Sequence, residues 1–257
     1  MERSLLILTA TVAPNTIQKV ALTNPDERLA QYVTNIRKTI KKTATLNLDI
    51  LIAENSGNVG QIADKLGRDI VNTNKIKFVS CKMGKSFSKK GISSNEHEML
   101  RKVSNEFDIE NYSMIWKLTG RLSIDNISQI ITQSTGDFRA NSYFLDHHTF
   151  DARFFGLKRD LFLQFARCGP RYSQNLSICL DCNHPNSYPN IERFLADFAF
   201  RIEMQGYSYR SLPFVPIFRG QSGSRGKEYG TLSNVVITYL LNKVRSKIVR
   251  GLLGVSP

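Results

Sequence analysis

Cysteine is scarce, four in 257 residues, too few to staple a small secreted scaffold. No apolar run reaches the roughly 18 residues that a membrane-crossing helix needs. The opening MERSLLILTATVAPN has one Arg and a short apolar stretch ending in a polar turn, so it reads as a first strand rather than a signal peptide. There is no GxxxxGK[ST], GxSxG or HExxH, and no GxGxxG after the first apolar run. Those absences remove the common phosphate-loop, serine-hydrolase, zinc-protease and dinucleotide signatures. No DxD occurs either, which argues against a carboxylate-clamped Mg²⁺ or Mn²⁺. Acids are in short supply, 22 against 35 basic residues.

What is present describes an α/β chain with a basic bias. Hydrophobic residues make up 41%, enough to bury a core and exclude a disordered chain. The charge is uneven: residues 1–100 carry a net +6, residues 101–200 balance, and residues 201–257 carry a net +7. That pattern favours phosphate-bearing substrates, nucleic acid or an anionic membrane face.

Apolar runs at Leu5–Thr11, Leu48–Ala53, Lys75–Ser80 and Tyr112–Leu118 predict strands. Helical patterns fall between them at residues 25–43, at Gln61–Leu66, and from Ser93, with Glu96 as capping-box partner, to about Phe107. Asp125 is expected to cap a helix through Gln133. Phe138–Phe144 and Thr149–Leu157 read as two further strands, then a helix at Ile191–Gln205, a strand at Leu212–Phe218 and a terminal helix. The alternation predicts a mixed, largely parallel sheet flanked by helices. One domain over residues 1–230 is expected, with one half to about 135 and a second from 136, and residues 231–257 are expected to form a basic amphipathic helix. In that helix Ile237, Leu241, Val244, Ile248 and Leu252 make one stripe, opposite Lys243, Lys247 and Arg250. Such a helix suits either an anionic bilayer or the domain core.

Ligands of open α/β sheets sit beyond the carboxyl ends of the strands. Four polar clusters fall there: Thr9, Thr11 and Asn15; Glu54, Asn55, Ser56 and Gly57; Lys82–Gly91, with Lys89, Lys90 and Gly91; and Lys117, Thr119, Gly120 and Arg121. Two cations and a hydroxyl at a strand end could neutralise a diphosphate without a metal. The loop holding Gly220, Ser222, Gly223 and Arg225 offers a second phosphate cradle, or simply a linker to the last helix. Asp146, Asp151 and Glu192 are the candidates for a general base. Cys168, Cys179, Cys182 and His184 have no standard zinc spacing, and the adjacent His147 and His148 would point to opposite faces of a strand. No metal site and no cofactor is predicted, although the sequence leaves a divalent ion open.

Taken in order, LLILTAT, ENSG at Glu54–Gly57, the KKG…E segment at Lys89–Glu96, KLTGR at Lys117–Arg121 and FDARFFG at Phe150–Gly156 resemble bacterial glycosyltransferases of surface polysaccharide synthesis, the enzymes of O-antigen and capsule clusters. The resemblance covers roughly residues 5–160. It implies a GT-A-like (Rossmann-type) fold, a nucleotide-sugar donor and a polyprenyl-diphosphate-linked glycan as acceptor. It also implies a place on the inner face of the cytoplasmic membrane, and the missing DxD departs from the usual GT-A pattern. A basic nucleic-acid-binding protein without catalytic activity is the alternative, though no RRM, KH or helix-turn-helix pattern is present.

Overall fold

The computed structural model describes residues 3–14, 21–73, 76–82, 92–142, 149–174, 191–221, 226 and 228–230. A seven-stranded sheet is its frame. Strands β1 (Ser4–Ala10), β2 (Leu48–Glu54), β3 (Ile76–Ser80) and β4 (Met114–Thr119) are parallel, in the order β3-β2-β1-β4. β7 (Phe150–Lys158) pairs antiparallel with β4, and β6 (Phe138–Ser142) antiparallel with β7. β8 (Tyr209–Arg210) closes the edge beside β6. A small second sheet joins β5 (Leu122–Ile124), β9 (Phe218–Gln221) and β10 (Glu228–Tyr229).

Strand alternation builds two cores. Leu5 and Ile7 of β1 face α4 (Ile92–Glu106), α6 (Arg159–Gln174) and α7 (Ile191–Met204), through Leu100, Val103, Phe162, Phe165 and Phe194. Leu6 and Leu8 face α1 (Pro25–Thr43), α2 (Val59–Leu66) and α5 (Ile127–Gln133), through Tyr32, Ile36, Ile62 and Ile130. A short α3 (Arg68–Thr73) leads into β3. Helix α1 starts as its sequence dictates: Pro25 sits in the first turn, and the Asn24 side chain accepts the Asp26 and Glu27 N–H groups.

Three expectations are corrected. Asp125 does not cap α5; Asn126 holds that position, and Asp125 instead pairs with Lys42 (2.5 Å) and Arg219 (2.6 Å). The segment expected as a strand at Leu212–Phe218 enters a ladder only at Phe218. Pro213 and Pro216 remove two N–H donors, and side-chain amides take two others: Leu212 N–H donates to Asn141 Oδ1, and Ile217 N–H to Asn126 Oδ1. Helix α6 has no counterpart among the expected elements, which pass from the second of the two strands directly to the helix at Ile191–Gln205. Here Pro170 lies inside the helix. The terminal helix expected at 231–253 lies outside the described residues.

Candidate active site

Between β1 and β4 the connections diverge, β1 running on to β2 on one side while β4 flanks it on the other. This is a switch point, and its carboxyl edge is where an open sheet leaves a crevice. The residues there form three groups.

Glu54 organises the first. Its side chain is fully buried at the end of β2. Oε1 accepts the N–H of Val12 (3.2 Å) and of Ser56 (2.9 Å) and the Ser56 hydroxyl, and Oε2 accepts the Asn58 N–H (2.7 Å). The Ser56 hydroxyl oxygen in turn accepts the Ala13 N–H (3.0 Å). Glu54 and Ser56 thus spend their polar atoms tying the loops after β1 and β2 together. Asn55 Oδ1 stays buried with no partner. Gly57 takes a positive φ of 85°, and the Lys82 side chain lies over it, so a Cβ there would sit 3.2 Å from Lys82 Cδ.

Cations dominate the second group. Arg28 on α1, 3% exposed, donates twice to Thr11 O (2.8 and 2.6 Å) and once to Leu22 O (3.1 Å), bracketing the segment after β1. Burial pulls its guanidinium below the ordinary range, and the nearby Arg121 charge adds to the effect. Tyr32 OH accepts the Thr11 N–H at 2.9 Å. Arg121, 7% exposed, leaves Nε and Nη1 buried without a hydrogen-bond partner among the described residues. Its backbone is pinned. Gly120 N–H donates to Thr9 O (2.9 Å), the Asn35 amide donates to Arg121 O (2.7 Å), and Gly220, at φ 112°, packs so closely on that carbonyl that a Cβ would collide with it. A side chain at Gly120 would likewise press on Thr9 O.

The third group is acidic. Lys117, 1% exposed, pairs with Glu96 and donates to Ala152 O (2.6 Å) and Thr119 Oγ1 (3.2 Å). Lys117 Nζ thus has three protein partners in this structure, Glu96, Ala152 O and Thr119 Oγ1, matching the three donors of an ammonium. The Thr9 hydroxyl donates to the same Glu96 oxygen (3.3 Å). Asp151 is forked by Arg153 through Nε (2.8 Å) and Nη2 (2.6 Å), and Arg153 lies over the rings of Phe218 (4.2 Å) and Tyr229 (4.9 Å). Asp151 therefore helps tie the small sheet to the large one. Glu192, in the first turn of α7, makes no ion pair among the described residues. Burial raises its pKa, Glu96 and Asp151 push the same way, and Lys117 opposes them.

Asp146, Asn15, Lys89, Lys90, Gly91, Ser222, Gly223 and Arg225 lie outside the described residues, as do His147, His148, Cys179, Cys182 and His184. Among the described residues no three His, Cys, Asp or Glu side chains are grouped to hold a metal ion. The groups that close β4 are Lys117, Thr119 and Arg121, a donor set that does not fit a divalent cation. Sequence reasoning passed over Arg28, Asn35 and, as more than a capping partner, Glu96. The helical spacing of Arg28, Tyr32, Asn35, Thr39 and Thr43 was a legible signal, a polar stripe beside the apolar one on α1.

No protein-family model matches the chain, and no curated protein matches it in sequence. Among solved structures it is similar to a protein of Desulfovibrio desulfuricans described as a nucleotide-diphospho-sugar transferase, at 10% identity over 82% of this chain and 80% of that one, with a TM-score of 0.47. It is also similar to the glycosyltransferase GlyE of Streptococcus pneumoniae, at 12% identity, 83% of this chain, 45% of that one and a TM-score of 0.48. A third is a Bacillus anthracis protein described as a glucose-1-phosphate thymidylyltransferase, at 11% identity, 94% and 95% coverage and a TM-score of 0.44. Likenesses this distant assign no chemistry to the chain.

Proposed function

We propose that this chain is a glycosyltransferase that moves a sugar from a nucleoside-diphosphate donor to a hydroxyl of a lipid-linked glycan in bacterial surface polysaccharide synthesis. The observation that carries the reading is Arg121. A buried guanidinium with two unpartnered N–H groups is costly to keep, and a diphosphate oxygen at the carboxyl edge of β4 would satisfy both its charge and its donors.

In the reaction the acceptor oxygen attacks the anomeric carbon. The bond from that carbon to the diphosphate oxygen breaks, and its electron pair leaves with the nucleoside diphosphate. Arg121 meets the charge that develops on the leaving group, in place of a metal. Asn55 and the Glu54-braced loops border the nucleoside. Of the candidate bases, Asp151 is occupied by Arg153, whereas Glu192 lacks an ion partner among the described residues and has a raised pKa. We assign it to take the acceptor proton. The polyprenyl-diphosphate acceptor and a seat on the anionic inner membrane face rest on the sequence resemblance and on the basic segment 231–253.

The test is thermal-shift stabilisation by UDP, GDP, CDP, CMP and dTDP, each with and without EDTA. A selective rise with one diphosphate, unchanged by EDTA, is expected. A rise abolished by EDTA overturns the metal-free mechanism, and no rise with any nucleotide hands the chain to the polyanion-binding alternative.

A further inference from the structure

The crevice between β1 and β4 contains a carboxylate that the mechanism above does not use. Glu96 projects from α4, and both of its recorded contacts, Lys117 Nζ and the Thr9 hydroxyl, fall on Oε1. Oε2 accepts no hydrogen bond among the described residues, and the side chain is 17% exposed. Its lysine partner is almost wholly buried and gives its two other donors to Thr119 Oγ1 and Ala152 O. Burying an ammonium is expensive. Here that charge fixes one carboxylate at the switch point, with one oxygen clamped and the other without a donor among the described residues.

Thr9 connects this carboxylate to the phosphate cation. Its hydroxyl binds Glu96, its carbonyl binds the Gly120 N–H, and Arg121 is the next residue. Cation and carboxylate therefore flank one strand end. A carboxylate oxygen without a donor takes hydroxyl groups, which a sugar supplies and a bare diphosphate does not.

We infer that Glu96 binds a hydroxyl of the transferred sugar through Oε2, with Lys117 and Thr9 holding it in place; this rests on the transferase reading above. Lys117 is then a positioning residue and not a phosphate ligand.

The experiment compares the full chain with Glu96→Gln and Glu96→Asp by calorimetry. The ligands are UDP, GDP and dTDP beside UDP-glucose, GDP-mannose and dTDP-glucose. Glu96→Gln keeps an acceptor for Lys117, and Glu96→Asp keeps the charge but retracts it by one methylene. Each variant is expected to bind the free diphosphates within about twofold of wild type and to lose roughly tenfold or more in affinity for the matching nucleotide-sugar. Nucleotide-sugar affinity kept in both variants overturns the inference. So does an equal loss for nucleotide-sugar and free nucleoside diphosphate, which reports a structural role or a contact to the nucleoside rather than to the transferred sugar. A wild-type chain that binds none of the six ligands and is stabilised by no nucleotide of the thermal-shift panel overturns the transferase reading itself.

Discussion

Arg121 sets function against stability at a single side chain. Its guanidinium is desolvated, and two of its N–H groups find no acceptor among the described residues. Replacing it with a shape-filling neutral residue removes that cost, about 1–3 kcal/mol. Arg121→Met is therefore expected to melt no lower than wild type, and higher if the surroundings close over it, while stabilisation by nucleoside diphosphates falls roughly 10- to 100-fold in affinity. A melting scan with and without diphosphate reads both effects. A variant that melts lower and binds diphosphate unchanged would make Arg121 a structural residue. Arg28 has a different role: its donors are spent on Thr11 O and Leu22 O, so it ties the chain after β1 to the chain that leads into α1.

At the scale of elements, α4, α6 and α7 meet around His97. The ring packs edge-on against Phe194 (5.0 Å) and tilted against Phe165 (5.7 Å), and neither nitrogen has a partner. Gly169 is what lets α6 approach, since a Cβ there would collide with Nδ1. Burial, with Lys117 adding to it, drives the pKa of His97 from 6.5 down to about 3. Between those values the unfolded chain binds the proton and the folded chain does not. The stability His97 contributes is therefore complete above pH 6.5 and is lost progressively as the pH falls towards 3, by about 1.4 kcal/mol per unit. Urea midpoints measured from pH 7 to pH 4 should fall more steeply for wild type than for His97→Met; equal slopes would show that His97 is not held neutral.

For the molecule as a whole, a net charge of +13 attracts any polyanion, so retention on nucleic acid at low salt says little about function. The candidate phosphate cation is buried, and buried charges are screened far less than surface ones. Raising salt from about 50 to about 300 mM should abolish oligonucleotide binding by orders of magnitude and weaken nucleoside-diphosphate binding by much less. Parallel salt titrations of both ligands decide it, and the opposite ranking would favour the nucleic-acid alternative.

The element pattern was legible because it depends on local periodicity. Leu29, Val33, Ile36 and Ile40 place α1, and Pro25 starts it where the structure does. The continuous apolar runs at Leu5–Thr11 and Leu48–Ala53 place two strands that are buried on both faces, one face for each core. Strand-end placement likewise brought Thr9, Glu54, Lys117 and Arg121 to one edge. What those polar groups do there is set by partners distant in sequence. Glu96 claims Lys117 from another element, Val12 donates to the carboxylate of Glu54, and Asn35 of α1 pins the turn that carries Arg121. A buried charge is defined by its neighbours' donors and acceptors and by the water it has lost, and both depend on tertiary packing. Sequence alone thus determined which charges reach the crevice, and only the packing of α1 and α4 against the sheet decided which of them is satisfied and which lacks a partner among the described residues.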